Sequence, residues 1–201
     1  MMKTSALLFV IACFSVVNLK AQDKPVALIK GESASVEQNI VKVEALFPSL
    51  LALSYEKKMA QSISLYTTLG AMSYYGGGTI ARDIYGASPY YIFMPQITVQ
   101  SRFYHNLGKR AASHKNTNNN AANYVGLTSR FYHEGLYLTN AERLPNGSAV
   151  LDLMISYGMQ RSFFKRINFD VAFQPGLRIT NRGAELLVGI NLQLGFIVFS
   201  N

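Results

Sequence analysis

The sequence predicts an all-β protein, an eight-stranded antiparallel up-and-down barrel whose strands cross a membrane. Residues 184–199 alternate between apolar and polar side chains over about fifteen residues, whereas strands in soluble sheets usually stop after about five or six. The same alternation recurs along the chain from residue 39, without a helical period. Charged residues make up only 15% of the chain, which is low for a protein whose whole surface faces water.

The beginning of the chain has the features of a secretory leader. Lys3 precedes an apolar stretch at 6–17, and small Ala21 stands before Gln22. We therefore predict a signal peptide over 1–21, a periplasmic N-terminal extension over 22–38 and a barrel domain over 39–201. Cys13 lies within the apolar stretch, where it makes a poor lipoprotein-processing site. Because it would leave with the leader, we expect no disulfide.

The pattern divides the barrel domain into eight strands, beginning near residues 39, 51, 63, 90, 122, 151, 167 and 184. We expect short periplasmic connections at 57–61, 106–121 and 163–166, and extracellular loops at 47–49, 76–89, 135–147 and 181–183, the topology of bacterial barrels. The glycines at 76–78 mark a flexible loop, since no phosphate-binding spacing is present and no helix is expected after them. The basic, Asn-rich stretch 106–121 is either a solvated turn or a surface for peptidoglycan or anionic lipid headgroups.

The two faces of the strands differ in composition. One face of the last strand is apolar and is predicted to face lipid: Leu186, Val188, Ile190, Leu192, Leu194, Phe196 and Val198. The polar faces carry isolated charges, which we expect to pair inside the lumen because unpaired charges there are costly. This predicted lumen charge network is Lys42, Glu44, Glu56, Arg102, Arg130, Asp152, Asp170, Arg178 and Glu185. Side chains are expected to fill so narrow a barrel, leaving no continuous pore.

Paired tyrosines flank the loop at 76–89. They are Tyr74 and Tyr75 before it, and Tyr90 and Tyr91 after it. They fit either an aromatic girdle at the membrane interface or ordinary strand tyrosines.

Several short stretches carry a family resemblance: 54–58 leading into a turn, 95–97 leading to 102–104, and the basic segment before Asn123. The chain resembles small outer-membrane β-barrel proteins of Gram-negative bacteria and is similar in architecture to the OmpA-type membrane domain. The resemblance implies location in the cell outer membrane, contact with its lipids and insertion by the barrel-assembly machinery. It departs in one detail, because many such barrels end on Phe, whereas Phe199 is followed by Ser200 and Asn201.

No motif indicates a reaction. His105, His114 and His133 lack the spacing of metal-ligand or nucleophile motifs, so we expect no enzyme activity, metal or cofactor. The matched Arg-Phe-Tyr-His runs at 102–105 and 130–133 are predicted to occupy paired positions on neighbouring strands. Nucleic-acid binding is not expected despite a formal charge of +8, because no basic run interleaved with aromatic residues lies on a helix.

The expected function is therefore a structural or loop-mediated interaction barrel rather than a general porin. An unknown ligand or surface partner is expected at the loops 76–89 and 135–147, since loops on a rigid scaffold carry function. A soluble periplasmic lipocalin-like binding barrel is the alternative, with the same strand number and the opposite faces inward. An outer-membrane enzyme is the third candidate.

Overall fold

The computed structural model describes residues 34–47, 49–142, 147–164 and 166–201. The predicted signal peptide and most of the predicted extension lie outside these residues. The strands are β1 Asn39–Phe47, β2 Ser49–Ala60, β3 Ile63–Gly76, β4 Tyr90–Phe103, β5 Asn123–His133, β6 Leu138–Thr139, β7 Ala149–Phe163, β8 Ile167–Thr180 and β9 Gly183–Ser200. The helices are α1 Thr79–Tyr85, α2 Leu107–Ala112 and a 3-10 turn, Asn118–Asn120.

Eight of these nine described strands form a closed ring. The order round the ring is β1, β2, β3, β4, β5, β7, β8 and β9, and every neighbouring pair is antiparallel. The predicted all-β, eight-stranded up-and-down barrel is confirmed. The ninth strand, β6, comes from the predicted loop 135–147 and pairs with β4 at Ile92 and Phe93, beside the ring.

The ring closes where the first strand meets the last. Val43 lies opposite Phe196 and Phe47 opposite Leu192, with one register shift between Val41 and Lys42. The last strand therefore pairs with both the first strand and the preceding one. Because β1 is short, residues 183–191 of β9 pair with β8 alone.

The two ends of the barrel differ. At the terminal end, where β1 begins and β9 finishes, lie α2, the 3-10 turn and the short connections between β2 and β3 and between β7 and β8. At the opposite, loop end lie α1 and β6. Neither α-helix in the described ranges is long and apolar enough to cross a membrane.

The expectation that no helix follows the glycines at 76–78 is wrong. Helix α1 begins directly after Gly78 and ends at Gly86, which has a left-handed backbone (φ 74°) and donates its N–H to the Arg82 carbonyl. Glycine takes this conformation at no steric cost, so it ends the helix. Seven helical residues are too few to show a 3.6-residue period.

The predicted turn at 57–61 is shorter than expected. Strand β2 continues to Ala60, which lies opposite Ile63, so that Gln61 and Ser62 alone form the turn. Lys57 and Lys58 are strand residues within the ladder. Their long side chains can extend past the end of the barrel into water, so lysines do not terminate this strand.

An apolar cluster closes the terminal end of the lumen. The Val36 N–H donates to the Gln61 carbonyl at 2.9 Å, which folds residues 34–38 back across the barrel. Val36 is buried with Tyr104, Leu107, Ala122, Tyr124 and Ala172. Part of the predicted extension and the connection 106–121 therefore cover the barrel mouth instead of lying free in solvent. A second cluster, of Met72, Met94, Tyr132 and Val150, occupies the loop end of the lumen.

A cross-strand disulfide tests the closure of the ring. Val43 and Phe196 are opposed in the register of β1 and β9, and both side chains are exposed. Opposed residues in antiparallel strands have Cα atoms about 4.5–5.5 Å apart, within disulfide reach. We expect V43C/F196C, in a Cys13→Ser background, to form an intramolecular disulfide on mild oxidation, measured as a mobility difference between reducing and non-reducing gels.

The control is V43C/L127C. Leu127 is also exposed, but it lies on β5, across the ring from β1. This pair should stay reduced within one molecule, and equal cross-linking of the two pairs would contradict the closed ring.

Candidate functional site

The interior of the barrel is polar and its exterior is apolar. In β4, Gln96, Gln100 and Arg102 are at most 2% exposed, whereas Ile97 and Phe103, which alternate with them, are 48% and 50% exposed. The same division holds along β5, where Thr128 and Arg130 are buried and Leu127 and Phe131 are exposed. Because side chains alternate between the faces of a strand, the register of the ring directs the polar set inward.

Five of the predicted network charges form one buried group, the lower cluster, toward the terminal end. It consists of Lys42, Glu44, Glu56, Arg102 and Asp170, each at most 1% exposed. Lys42 Nζ lies 3.3 Å from Glu44 Oε1 and 3.7 Å from Glu56 Oε2. Arg102 Nη1 lies 2.9 Å from Asp170 Oδ2 and 4.0 Å from Glu56 Oε2. Charges from β1, β2, β4 and β8 are therefore paired across the lumen.

Tyrosine hydroxyls complete the lower cluster, which has three carboxylates and two cations. Tyr66 donates a hydrogen bond to Glu44. Tyr104 donates to Glu56 Oε1 at 2.6 Å, and Tyr124 donates to Asp170 Oδ1 at 2.8 Å. Each carboxylate thus has one phenolic donor, which stabilises the excess negative charge because hydrogen bonds to an ionised acceptor are strong.

Arg102 joins opposite walls of the barrel. Its Nε donates to Gln100 Oε1 at 2.5 Å and its Nη1 donates to Gln160 Oε1, on β7, at 2.6 Å. Its guanidinium lies 3.7 Å from the centre of the Tyr66 ring and 4.5 Å from that of Tyr124, both cation–π contacts. Arg102 therefore contacts residues of β3, β4, β5, β7 and β8, and its side chain occupies the lumen at this level.

Three further charges form the upper cluster, toward the loop end. Arg178 makes two hydrogen bonds to Asp152, from Nε at 2.8 Å and from Nη2 at 3.1 Å. Arg130 Nη1 lies 3.9 Å from the same carboxylate. Asp152 is fully buried, whereas the Arg178 side chain is 27% exposed at the mouth. The single carboxylate therefore compensates two guanidiniums, one of which is partly hydrated.

Uncharged polar side chains separate the two clusters. Gln100 donates to Thr128 Oγ1 at 2.7 Å, Thr128 and Ser156 share a hydrogen bond of 2.6 Å, and Gln174 donates to Ser156 at 2.9 Å. A cavity of about 10 Å³, the volume needed for one water molecule, lies among these residues. Side chains of the described residues therefore occupy the lumen between the two clusters.

Glu185 is placed differently from the other eight predicted network residues. It lies opposite Arg178 in the register, but it is exposed and takes part in none of the six ion pairs recorded among described residues. It belongs to the part of β9 that extends past β1, where the lumen is open to solvent. Without it the buried charges balance, with a surplus of one negative charge in the lower cluster and one positive charge in the upper.

The apolar set of the last strand points outward. Leu186, Val188, Ile190, Leu194, Phe196 and Val198 are exposed and Leu192 is half-buried, whereas Ile197 is inward and buried. The paired tyrosines divide between the two faces. Tyr75 and Tyr91 are exposed on the outward set and lie opposite each other in β3 and β4. Tyr74 and Tyr90 lie at the inward alternate positions of β3 and β4. Tyr90 stacks on Tyr85 with ring centres 4.2 Å apart.

The matched Arg-Phe-Tyr-His runs are not paired across the strands, contrary to the prediction. Because β4 and β5 are antiparallel, Arg102 lies opposite Gly126 and Arg130 opposite Thr98. The two arginines therefore belong to different clusters at different levels of the lumen. His105 stacks on Tyr157 and His133 accepts the Gly135 N–H, both outside the lumen. No group of three or more His, Cys, Asp or Glu arranged to hold a metal occurs among the described residues.

Sequence reasoning missed the tyrosine donors Tyr66, Tyr104 and Tyr124, and it missed Val36. The three tyrosines lie at, or directly continue, the polar, inward-facing alternate positions of their strands, where the network charges also lie. This alternation could have identified them as lumen residues. No local pattern indicates that Val36 covers the barrel mouth. Comparisons of the chain with protein-family models, curated proteins and solved structures found no match. Its function is therefore inferred from the geometry of the barrel.

Substitution of Asp152 tests the upper cluster. Asp152→Asn leaves Arg130 and Arg178 close together without their counter-charge, and breaking a buried pair typically costs about 3–5 kcal/mol. We expect the free energy of unfolding in urea to fall by about 3 kcal/mol, since Arg178 is partly hydrated. Glu185→Gln is the matched control and should change it by less than about 0.5 kcal/mol. Equal losses in the two variants would contradict the assignment.

Proposed function

We propose that this protein is an integral outer-membrane β-barrel with a closed lumen, whose role is structural or depends on interactions at its ends. The observation that carries the proposal is the distribution of its two faces. Lys42, Glu44, Arg102 and Asp152 are at most 1% exposed, while Leu186, Val188 and Ile190 are 89%, 69% and 58% exposed. A protein surrounded by water would gain free energy from the opposite arrangement. Hydrocarbon outside the ring accounts for both faces.

The same distribution argues against a lipocalin-like binder. Such a barrel keeps charges outside and lines a ligand cavity with apolar residues. Here the lumen is lined by amides, hydroxyls and ion pairs, and its cavity of about 10 Å³ holds no more than a water molecule. The filled lumen equally argues against a general porin, and the absence of a metal-ligand cluster among described residues gives an enzyme no specific support.

The topology supports an orientation in the membrane. Bacterial barrels have both chain ends and their short turns on the periplasmic side. The terminal end of this barrel has the two-residue turn Gln61–Ser62. Gln38 and Asn201 also approach each other there, and their backbones are joined by a 2.6 Å hydrogen bond. We assign the terminal end to the periplasm and the loop end to the cell exterior.

The loop end is the proposed interaction surface. The predicted loops 76–89 and 135–147 are joined, because the Glu142 N–H donates to the Tyr85 carbonyl at 2.8 Å and Asn140 Nδ2 donates to the Pro89 carbonyl at 3.0 Å. Ile80 and Leu138 are each 75% exposed on this surface. Exposed apolar side chains on a hydrogen-bonded platform are typical of sites that bind a surface partner.

A charge on the outward face tests the membrane assignment. Ile190→Arg places a guanidinium near the middle of the apolar face, where it should cost about 2–4 kcal/mol in a bilayer. We expect this loss in the folding free energy measured by urea titration in phosphatidylcholine vesicles. The control is Ser200→Arg, at the exposed end of β9, with a cost of about 0–1 kcal/mol. If both variants folded as well as the wild type, or if the wild type stayed soluble without lipid or detergent, the membrane assignment would fail.

The filled lumen predicts that the protein forms no ion-conducting channel. Wild-type protein reconstituted in a planar bilayer should give no stable ohmic channels of porin size, because Arg102 and its carboxylate partners cross the lumen. The measurement is current under applied voltage, with a general porin as the positive control. Reproducible channels of porin conductance would contradict the closed lumen.

A further inference from the structure

The terminal end of the barrel carries an unbalanced positive charge. Outside the lumen, its described basic residues, the basic rim, are Lys57, Lys58, Lys109, Arg110, Lys115, Arg161 and Arg166, and Glu37 is the one acid described there. At the loop end the described residues are instead acidic in sum, with Asp83, Glu134, Glu142 and Glu185 against Arg82 and Arg182. Outside the lumen, the described charged residues are thus divided unevenly between the two ends of the barrel.

The basic rim is not neutralised by ion pairs within the described chain. All six ion pairs recorded there lie between lumen residues, and none involves a member of the rim. A set of seven cations with one nearby acid attracts anions, and basic residues near an anionic membrane surface are drawn to its headgroups.

Two of the rim arginines are held side by side. Arg161 donates from Nη2 to Asn123 Oδ1 and from Nη1 to the Gln160 carbonyl, both at 2.7 Å. Arg110 donates from Nη2 to the Asn116 carbonyl at 2.8 Å. Asn116 links the two, because its side-chain amide also donates to the carbonyl of Ser162, the residue after Arg161. Like charges brought together in this way are stabilised by a bound anion, and guanidinium groups match the geometry of phosphate.

The Asn-rich connection fixes Arg110 against the barrel wall. Asn116 Nδ2 donates to the Ser162 carbonyl at 2.8 Å, which ties the segment after α2 to the end of β7. The Asn123 N–H donates to Asn106 Oδ1 at 2.8 Å, which joins the two ends of the connection. Arg110 Nε is buried without a hydrogen-bond partner among the described residues. Arg110 therefore has one donor whose hydrogen bond is unmade within the described chain.

Aromatic side chains lie near three members of the basic rim. Arg161 and Phe163 share the outward face of β7, and the Arg166 guanidinium lies 5.9 Å from the centre of the Phe196 ring. Lys57 likewise follows Tyr55 on the outward set of β2. Basic and aromatic side chains mix in this way at the boundary between hydrocarbon and headgroups. This position favours lipid phosphate over peptidoglycan, which would lie farther from the strands.

We infer that the basic rim binds anionic phospholipids of the periplasmic leaflet, with Arg110 and Arg161 together holding one headgroup phosphate. The inference rests on the proposed membrane location. Anionic phospholipids are thus the ligands at the terminal end of the barrel, and the connection between β4 and β5 takes part in binding them.

Lipid retention tests the inference. Protein folded in vesicles of equal parts phosphatidylglycerol and phosphatidylcholine is extracted in mild detergent, and the copurified lipids are quantified by mass spectrometry. The wild type should retain phosphatidylglycerol several-fold over phosphatidylcholine. Arg110→Gln/Arg161→Gln should reduce this enrichment about five-fold or more, whereas Arg82→Gln/Arg182→Gln, at the loop end, should leave it unchanged. Raising the salt concentration should lower the wild-type enrichment, a result that does not depend on any variant folding.

The outcomes separate this inference from the membrane assignment. Heat-modifiable gel mobility reports folding in the vesicles. Folded wild type without phosphatidylglycerol enrichment overturns the lipid site and leaves the membrane location standing. Failure of the wild type to enter vesicles overturns both. Cosedimentation with purified peptidoglycan that depends on Arg110 and Arg161, without lipid enrichment, overturns the lipid site in favour of a cell-wall partner.

Discussion

The pairing of Arg102 with carboxylates across the lumen is the constraint on which the rest of the barrel depends. Its guanidinium forms ion pairs with Asp170 on β8 and Glu56 on β2, and it donates a hydrogen bond to Gln160 on β7. Each of these contacts requires the contributing strand to present one alternate set of residues inward. A shift of one residue in any register would place a charge in the outward face and an apolar side chain in the lumen. Pairing of the charges inside the lumen and the placement of the apolar set on the outward face therefore require the same register.

A lumen filled in this way leaves the ends of the barrel for function. The wall between them is apolar outside, and polar side chains inside it are joined by hydrogen bonds across the lumen. The ends are chemically distinct: the loop end presents exposed Ile80 and Leu138 on a platform of two joined loops, and the terminal end presents the basic rim. One scaffold thus carries two surfaces suited to partners of different chemistry.

Much of the fold was predictable because strand alternation is a local property. The period of two identified the eight ring strands, and it put eight of the nine predicted network charges in the lumen. Partners across the lumen are not local, so the tyrosine donors to Glu44, Glu56 and Asp170 were missed although their inward positions were visible. Glu185 was misplaced because its exposure depends on how far β1 extends beside β9. Two features have no periodic pattern in the sequence. One is the position of Val36 over the barrel mouth, and the other is the seven-residue helix α1.

The closure of the ring by β1 and β9 has a consequence for how the chain folds. These strands are the first and the last of the barrel, so their contacts are the most distant in sequence, and forming them carries the largest loop-closure entropy. Until they meet, the sheet has two free edges and an uncovered face of paired charges, neither of which hydrocarbon tolerates. On the proposed membrane location, insertion into the bilayer and closure of the ring are therefore expected to be concerted, with the encounter of the two ends of the chain as the slow step.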